Sequence, residues 1–164
     1  MKVSLDWFER VVRSVGDAVD PPVVPLDPVD VEQPHPFETR NIHPDLPKKV
    51  RKLFDDGHYD DSVFAAFKYV DKEVMRISRI RGQTGFKLMM DAFNEANAKI
   101  PLNALSTDSE IDEQRGYRHM FAGSVSGIRN PRGHEVDMAD TLDDALDYLS
   151  VASLLLRKLD RRPV

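Results

Sequence analysis

The chain contains no cysteine, which excludes both a disulfide framework and any metal site built from thiolates. It also lacks a run of about 20 apolar residues, the length needed to cross a bilayer, and its start carries no signal-type apolar stretch. We therefore expect a soluble, cytoplasmic protein. With 164 residues, 41% of them hydrophobic, the chain can bury one substantial core but is too short for two ordinary domains.

Acidic residues are missing from one stretch of an otherwise acidic chain. The formal net charge of −5 disfavours a polyanionic partner, because non-specific affinity for nucleic acid comes mostly from neutralising phosphates. Between residues 115 and 134, however, there is no Asp or Glu. The basic side chains of this stretch are Arg115, Arg118, His119, Arg129, Arg132 and His134. We therefore expect one locally basic surface on an acidic protein.

Prolines separate a short N-terminal segment from the rest of the chain. Apolar residues at helical spacing predict an amphipathic helix within residues 1–19, from about residue 4 to 15. Eight prolines follow between Asp20 and Pro47, and each fixes φ and removes a backbone donor. The pattern predicts an extended linker over residues 20–44 without regular secondary structure. A helical domain is then expected over residues 45–164.

The domain sequence favours helices throughout. A glycine at position 57 is suited to end the first helix, and Thr141 with Asp144 three residues later is typical of a helix start. The apolar periodicity predicts a helix up to Gly57, three more over residues 61–81, 86–97 and 110–129, and a fifth from Thr141 onward. We expect an all-α bundle of four to five helices.

The predicted helix over residues 110–129 divides into three faces. One face is apolar and must belong to the core, and the opposite face is a basic stripe interrupted only by small residues. Between them lies a flank of glycines at positions 116, 123 and 127, each of which lowers helix propensity by roughly 1 kcal/mol relative to alanine. A closely packed neighbouring helix is the favoured explanation, and direct approach of a ligand is the alternative.

The end of that helix carries the residues best suited to chemistry. Pro131 predicts that the helix ends at Asn130, so that Arg129 and His134 lie at a helix-to-loop junction. A histidine can exchange protons near neutral pH, and an arginine can hold a phosphate in its fork of donors. Arg51 and His58 have a similar spacing, but two aspartates lie between them and would repel a phosphate. The later pair is therefore preferred.

An arginine, a polar residue that is often Asn, and a histidine after four to six intervening residues resemble the motif of HEPN ribonucleases. The wider context, over about residues 43–159, is similar to the Ymh-type, abortive-infection-like branch of that superfamily. The resemblance rests on Asp-Gly-His-Tyr at 56–59, Lys68, Gly-Phe-Lys-Leu-Met at 85–89 and Gly-Ile-Arg-Asn-Pro at 127–131.

The resemblance implies a HEPN-like bundle that acts as a metal-independent endoribonuclease, a toxin or an antiviral effector of abortive infection. The adjacent 2′-OH would attack the phosphate, leaving a 2′,3′-cyclic phosphate and a 5′-hydroxyl. His134 would move protons and Arg129 would hold the scissile phosphate, while Asn130 would orient that phosphate or cap the helix. A homodimer would bring two such motifs into one cleft. Whether an antitoxin or defence-system partner exists stays open.

Further basic side chains are candidates for RNA binding, namely Arg118, Arg132 and Lys68, although the face that carries Lys68 is most simply a solvated one. No helical spacing of His and Glu with a third ligand is present, so we expect neither a metal nor another cofactor. Two alternatives remain. One is a HEPN-like module that binds RNA, a nucleotide or a partner protein without turnover, and the other is an interaction protein whose motif is a solvated loop.

Overall fold

The computed structural model describes residues 9, 10, 13, 33–135 and 138–163. It divides the chain into an N-terminal unit, Met1–Gln33, and a second unit, Pro34–Val164. In the N-terminal unit, residues 9, 10 and 13 are helical. The rest of the predicted N-terminal helix and most of the predicted linker lie outside the described residues.

The second unit is all-helical, which confirms the predicted fold class. The described residues contain no strand. Among the described residues of the second unit, the helical elements follow in this order: α1 Pro36–Thr39, α2 Lys48–Asp55, α3 Tyr59–Ser78, α4 Gly85–Ala92, α5 Asp108–Ser124, a π turn Val125–Arg129, α6 Asn130–His134 and α7 Leu142–Asp160. Among the described residues, none of these helices combines the length and the hydropathy that crossing a bilayer requires.

Local signals in the sequence set most helix ends. Gly57 follows α2 with φ +80°, and the Thr141 hydroxyl accepts from the Asp144 amide at the start of α7, as predicted. Two helices are shorter than expected. Helix α3 ends at Ser78 because Arg79 adopts the left-handed conformation, with φ +57°. Helix α4 ends at Ala92, where the chain turns before it reaches the predicted end at residue 97.

Helix α3 forms the centre of the bundle, since α2, α4, α7, the π turn and α6 all pack against it. Its inward face buries Val63, Phe67, Val70 and Val74 completely. One buried polar side chain ties α5 to the loop after α4: the Gln114 amide donates to two backbone carbonyls and accepts from the Leu102 amide at 2.9 Å. Because every polar atom of that amide is paired, its burial is tolerated and fixes α5 in register.

The packed unit begins earlier than the sequence predicted. The predicted linker over residues 20–44 contains the one-turn helix α1, in which Pro36 occupies the first turn, where no backbone donor is needed. Ile42 and His43 are buried, and the His43 amide donates to Ser153 Oγ on α7 at 2.9 Å. Residues 33–44, the part of the predicted linker that the structure describes, therefore contain a helical turn and buried side chains where the proline density predicted an extended chain.

Candidate active site

Pro131 does not end the helix, contrary to the sequence prediction. The chain continues from α5 through the π turn and α6 to His134. In an ordinary α-helix a proline lacks the donor for the carbonyl four residues earlier and its ring collides with that carbonyl. Here one wider turn, in which the Asn130 amide donates to Val125 O, comes directly before Pro131. The proline then occupies the first turn of α6. Such π turns are frequent at functional sites.

Arg129 ends the π turn as a half-buried cation. Its Nη1 donates to Asn130 Oδ1 at 3.0 Å, so Asn130 orients the guanidinium. Its Nε is buried and has no hydrogen-bond partner within the described part of the chain. No carboxylate among the described residues forms an ion pair with it either. A partly desolvated, uncompensated guanidinium of this kind favours an anionic ligand.

The structure brings Lys68 and Arg129 to one aromatic ring. Arg129 Cζ lies 5.6 Å from the centroid of the Phe64 ring, and Lys68 Nζ lies 5.8 Å from the same centroid. Gly133 approaches this ring as well, since a Cβ there would lie 3.0 Å from Phe64 Cε2. The sequence prediction missed Phe64, although its position one helical turn before Lys68 was a usable signal.

His134 is exposed at the end of α6. It lies five residues after Arg129 on a continuous helical path. At 100° and 1.5 Å per residue, five steps place two side chains about 140° apart around the axis and roughly 7.5 Å apart along it. The predicted loop would have let both side chains converge. The helix instead points them in different directions.

Arg132 differs from the expectation that it binds RNA. Its guanidinium forms two bonds to Asp140, at 2.6 and 2.7 Å, and a third to Ile128 O at 2.7 Å. It also lies 4.3 Å from the centroid of the Tyr148 ring. Burial opposes the charge, but the bonds to Asp140 and Tyr148 raise the pKa of Arg132. Arg132 pairs with Asp140 shortly before α7, and only 2% of its side chain is exposed, which leaves too little for contact with RNA.

Arg118 is also engaged within the chain. Its Nε donates to Met90 O at 2.9 Å, and its Nη1 lies 3.0 Å from a carboxylate oxygen of Glu95, which also holds Arg115 Nε at 3.0 Å. The Glu95 backbone amide and the Arg115 guanidinium lower the pKa of Glu95 to about 2. The predicted basic stripe is therefore neutralised at this end, and it is also interrupted at Ala122, which is buried.

The glycine flank of α5 faces open space. A Cβ placed on Gly116, Gly123 or Gly127 would meet nothing within 4 Å in the described structure. Within the described part of the chain, no neighbouring helix packs closely on this flank, although the favoured sequence explanation predicted one. Met120, one turn after Gly116, leaves 43% of its surface exposed. The glycine flank therefore leaves the surface beside this exposed apolar side chain open within the described structure.

The alternative pair, Arg51 and His58, is a poorer candidate for a phosphate site than Arg129 and His134. Arg51 lies 3.6 Å from Glu38 and 4.0 Å from Asp55, so carboxylates flank its guanidinium. His58 is exposed just before α3. A phosphate would have to displace these carboxylates, which it need not do at Arg129.

One cluster outside this site has ligand atoms for a cation. His43, Asp45 and Asp160 each offer a ligand atom within 4.8 Å of the others. The His-x-Asp spacing was a signal that the sequence prediction did not use. However, His43 Nδ1 accepts from the Asp45 amide at 3.2 Å, so Nε2 carries the proton and donates to Asp160 at 2.9 Å. A metal bound at Nε2 would displace that proton to Nδ1, and Nδ1 could then no longer accept the hydrogen bond from the Asp45 amide. Hydrogen bonding therefore accounts for this cluster as a tie to α7.

The family model described as "Protein of unknown function (Hypoth_ymh)" matches residues 40–159, which include every helix from α2 to the penultimate residue of α7. The chain belongs to this family, which confirms the Ymh-type part of the resemblance. No curated protein and no solved structure matches the chain.

Proposed function

We propose that this protein is a metal-independent endoribonuclease of HEPN type, which acts as a toxin or as an antiviral effector of abortive infection. The HEPN assignment is part of the proposal and is supported by the resemblance of the Arg129, Asn130 and His134 motif. Arg129 holds the scissile phosphate, and His134 transfers protons. RNA is the substrate class because the reaction uses a ribose 2′-OH.

The observation that carries this proposal is the electrostatic state of Arg129. Arg115, Arg118 and Arg132 each pair with a carboxylate, whereas Arg129 pairs with none among the described residues. Its Nε is also buried without a partner there. A positive charge in this environment favours binding of an anion. Its attraction for the phosphate increases as negative charge develops there in the transition state.

In the proposed reaction, the 2′-oxygen forms a bond to phosphorus and the bond from phosphorus to the 5′-oxygen breaks. One imidazole accepts the proton of the 2′-OH, and a second acid donates a proton to the leaving 5′-oxygen. His134 supplies one of these functions. Because Arg129 and His134 of one chain point in different directions, a second chain is the natural source of an imidazole that acts on the phosphate held by Arg129. We therefore propose a homodimer whose interface includes the glycine flank of α5.

The test is cleavage of RNA by the purified full-length chain, with the ends of the products identified. Products should carry a 2′,3′-cyclic phosphate and a 5′-hydroxyl, and cleavage should persist in EDTA. An all-DNA strand and an RNA methylated at the 2′-oxygen of the cut site should stay intact. Products with a 5′-phosphate, or activity that depends on a divalent cation, would contradict the mechanism.

A second candidate function is a HEPN-like module that binds RNA, a nucleotide or a partner protein without cleavage. The net charge of −5 and the neutralisation of Arg115 and Arg118 favour it, since a net negative chain attracts a long RNA less strongly. If the purified chain binds a ligand and cuts no RNA under any condition, and alanine at Arg129 and His134 leaves that binding unchanged, this function replaces the enzymatic one.

A further inference from the structure

Phe64 is a large aromatic side chain whose known neighbours are cations. It projects from α3 and is half-buried, yet it is not among the apolar side chains that form the core or pack against it. Within the described structure its ring stacks on no other aromatic ring. Lys68, Arg129 and Gly133 contact it instead. It therefore lies outside the apolar core of the bundle, where α3 meets α6.

The ring attracts both cations through the negative charge of its π face. This brings two positive side chains from different helices to one place, and no carboxylate among the described residues joins either of them. Two like charges near one ring repel each other, so the arrangement gains most when an anion lies beside both. A Cβ at position 133 would crowd this ring, so Gly133 lets α6 lie close to it.

We propose that Phe64 is a positioning residue that aligns Lys68 and Arg129 along one strand of RNA. Arg129 contacts the scissile phosphate, and Lys68 contacts the neighbouring phosphate of the same strand. This inference rests on the proposed function for the identity of the ligand. It adds the path of the strand, which crosses α3 at Phe64.

Helix α3 offers a matched control for Lys68. Lys72 is exposed on the same helix, one turn farther from the site, and its ammonium contacts no aromatic ring among the described residues. Arg76, a further turn along, is held by Glu73 at 2.6 Å. If general positive charge on α3 attracts RNA, Lys68 and Lys72 contribute equally. If Phe64 selects one cation, only Lys68 contributes.

The experiment measures binding of a short, single-stranded RNA that carries 2′-O-methyl groups throughout, so that it cannot be cut, to full-length protein at several salt concentrations. Phe64→Leu removes the π face but keeps a bulky apolar side chain, and we expect about a two- to fivefold loss of affinity. Phe64→Tyr keeps the ring and should bind as wild type. Lys68→Gln should reduce the slope of log affinity against log salt by about 0.7, the value for one phosphate of a single strand. Lys72→Gln should leave the slope unchanged.

Several outcomes would overturn the inference, and they separate it from the proposed function. If Phe64→Leu binds as wild type while Arg129→Ala loses affinity, Phe64 has no positioning role and the proposed site stands. Equal slopes for Lys68→Gln and Lys72→Gln would likewise refute the strand path. If the wild-type chain binds no RNA even at low salt, both proposals fall. Thermal melts identify a variant that fails to fold, and the salt slope of Lys68→Gln then decides alone.

Discussion

The two ends of the long helical path from α5 to α6 look alike in sequence and differ in charge state. At the beginning, Arg115 and Arg118 share the carboxylate of Glu95, so the positive charge is largely compensated. At the end, Arg129 has no acidic partner in the described structure and faces Phe64. A basic pattern along a helix is therefore not the same as a basic surface. The partners that neutralise it come from elsewhere in the chain.

The same contrast holds over three residues. Arg132 is buried against Asp140 and Tyr148 and serves the structure, whereas Arg129 is half-buried and uncompensated. Substitutions at the two arginines should therefore have opposite consequences: one should change stability and the other function.

Arg132→Ala should have the largest effect. It leaves the carboxylate of Asp140, of which 8% is exposed, without its cation, and removal of one partner from a buried pair costs about 3–5 kcal/mol. Urea denaturation should show this loss in the free energy of unfolding. Arg129→Ala is the control and should unfold within about 0.5 kcal/mol of wild type. Equal losses of unfolding free energy for Arg132→Ala and Arg129→Ala would contradict a structural role for Arg132 alone.

Arg129→Ala should lower the rate of RNA cleavage about 10²–10³-fold, because it removes the cation that stabilises the developing charge on the phosphate. His134→Ala should lower it by about 10²–10⁴-fold, the range for acid–base catalysis. Initial rates on one RNA substrate measure both.

Arg118→Ala is the matched control on the same helix, and Arg51→Ala and His58→Ala test the chance pair. All three should cleave at nearly the wild-type rate. If Arg118→Ala loses as much activity as Arg129→Ala, the neutralised end of the stripe takes part in the reaction.

Gly123→Leu should weaken dimerisation, since a bulky side chain would stand on the open glycine flank of α5. We expect at least a tenfold rise in the dissociation constant, about 1.4 kcal/mol, measured by sedimentation. A substitution at Gly57, which lies outside this flank, would not be informative because its positive φ strains any side chain. Leu154→Ser, at an exposed position on α7, is a better control. A monomeric wild type would contradict the proposed interface.

Glu95→Gln should have the smallest effect, confined to acidic pH. The pKa of Glu95 is about 2 in the folded chain, below its ordinary value of 4.5, so the hydrogen bond from its own backbone amide and its ion pairs with Arg115 and Arg118 stabilise the fold above about pH 4.5. That contribution is lost as the pH falls from 4.5 towards 2, because the carboxylate then becomes protonated. Pairs this close to solvent contribute about 1 kcal/mol or less. Unfolding free energies between pH 2 and 7 should show a shallower acid decline for the variant than for wild type.

Sequence patterns alone sufficed for the helical class, the end of α2 and the start of α7. These follow from local causes: apolar periodicity, the left-handed preference of Gly57 and the Thr141 hydroxyl. The preference for Arg129 over Arg51, which rests on the aspartates beside Arg51, stays a prediction. The conflict between Pro131 and a continuous helix was visible in the sequence. A wider turn and an end of the helix are both ways to resolve it, and packing of the π turn and α6 against α3 favours the wider turn.

Tertiary contacts determine which of these arginines have an acidic partner in the described structure. Glu95 lies 20 residues before Arg115, and Asp140 lies 8 residues after Arg132, outside its helix. Neither pairing can therefore be inferred from the face of one helix. The meeting of Phe64 with Arg129 likewise depends on how α3 packs against the π turn. Electrostatic compensation acts through space between residues that are distant in the chain. A sequence pattern gives the sign of each charge, and the fold determines whether that charge is available to a ligand.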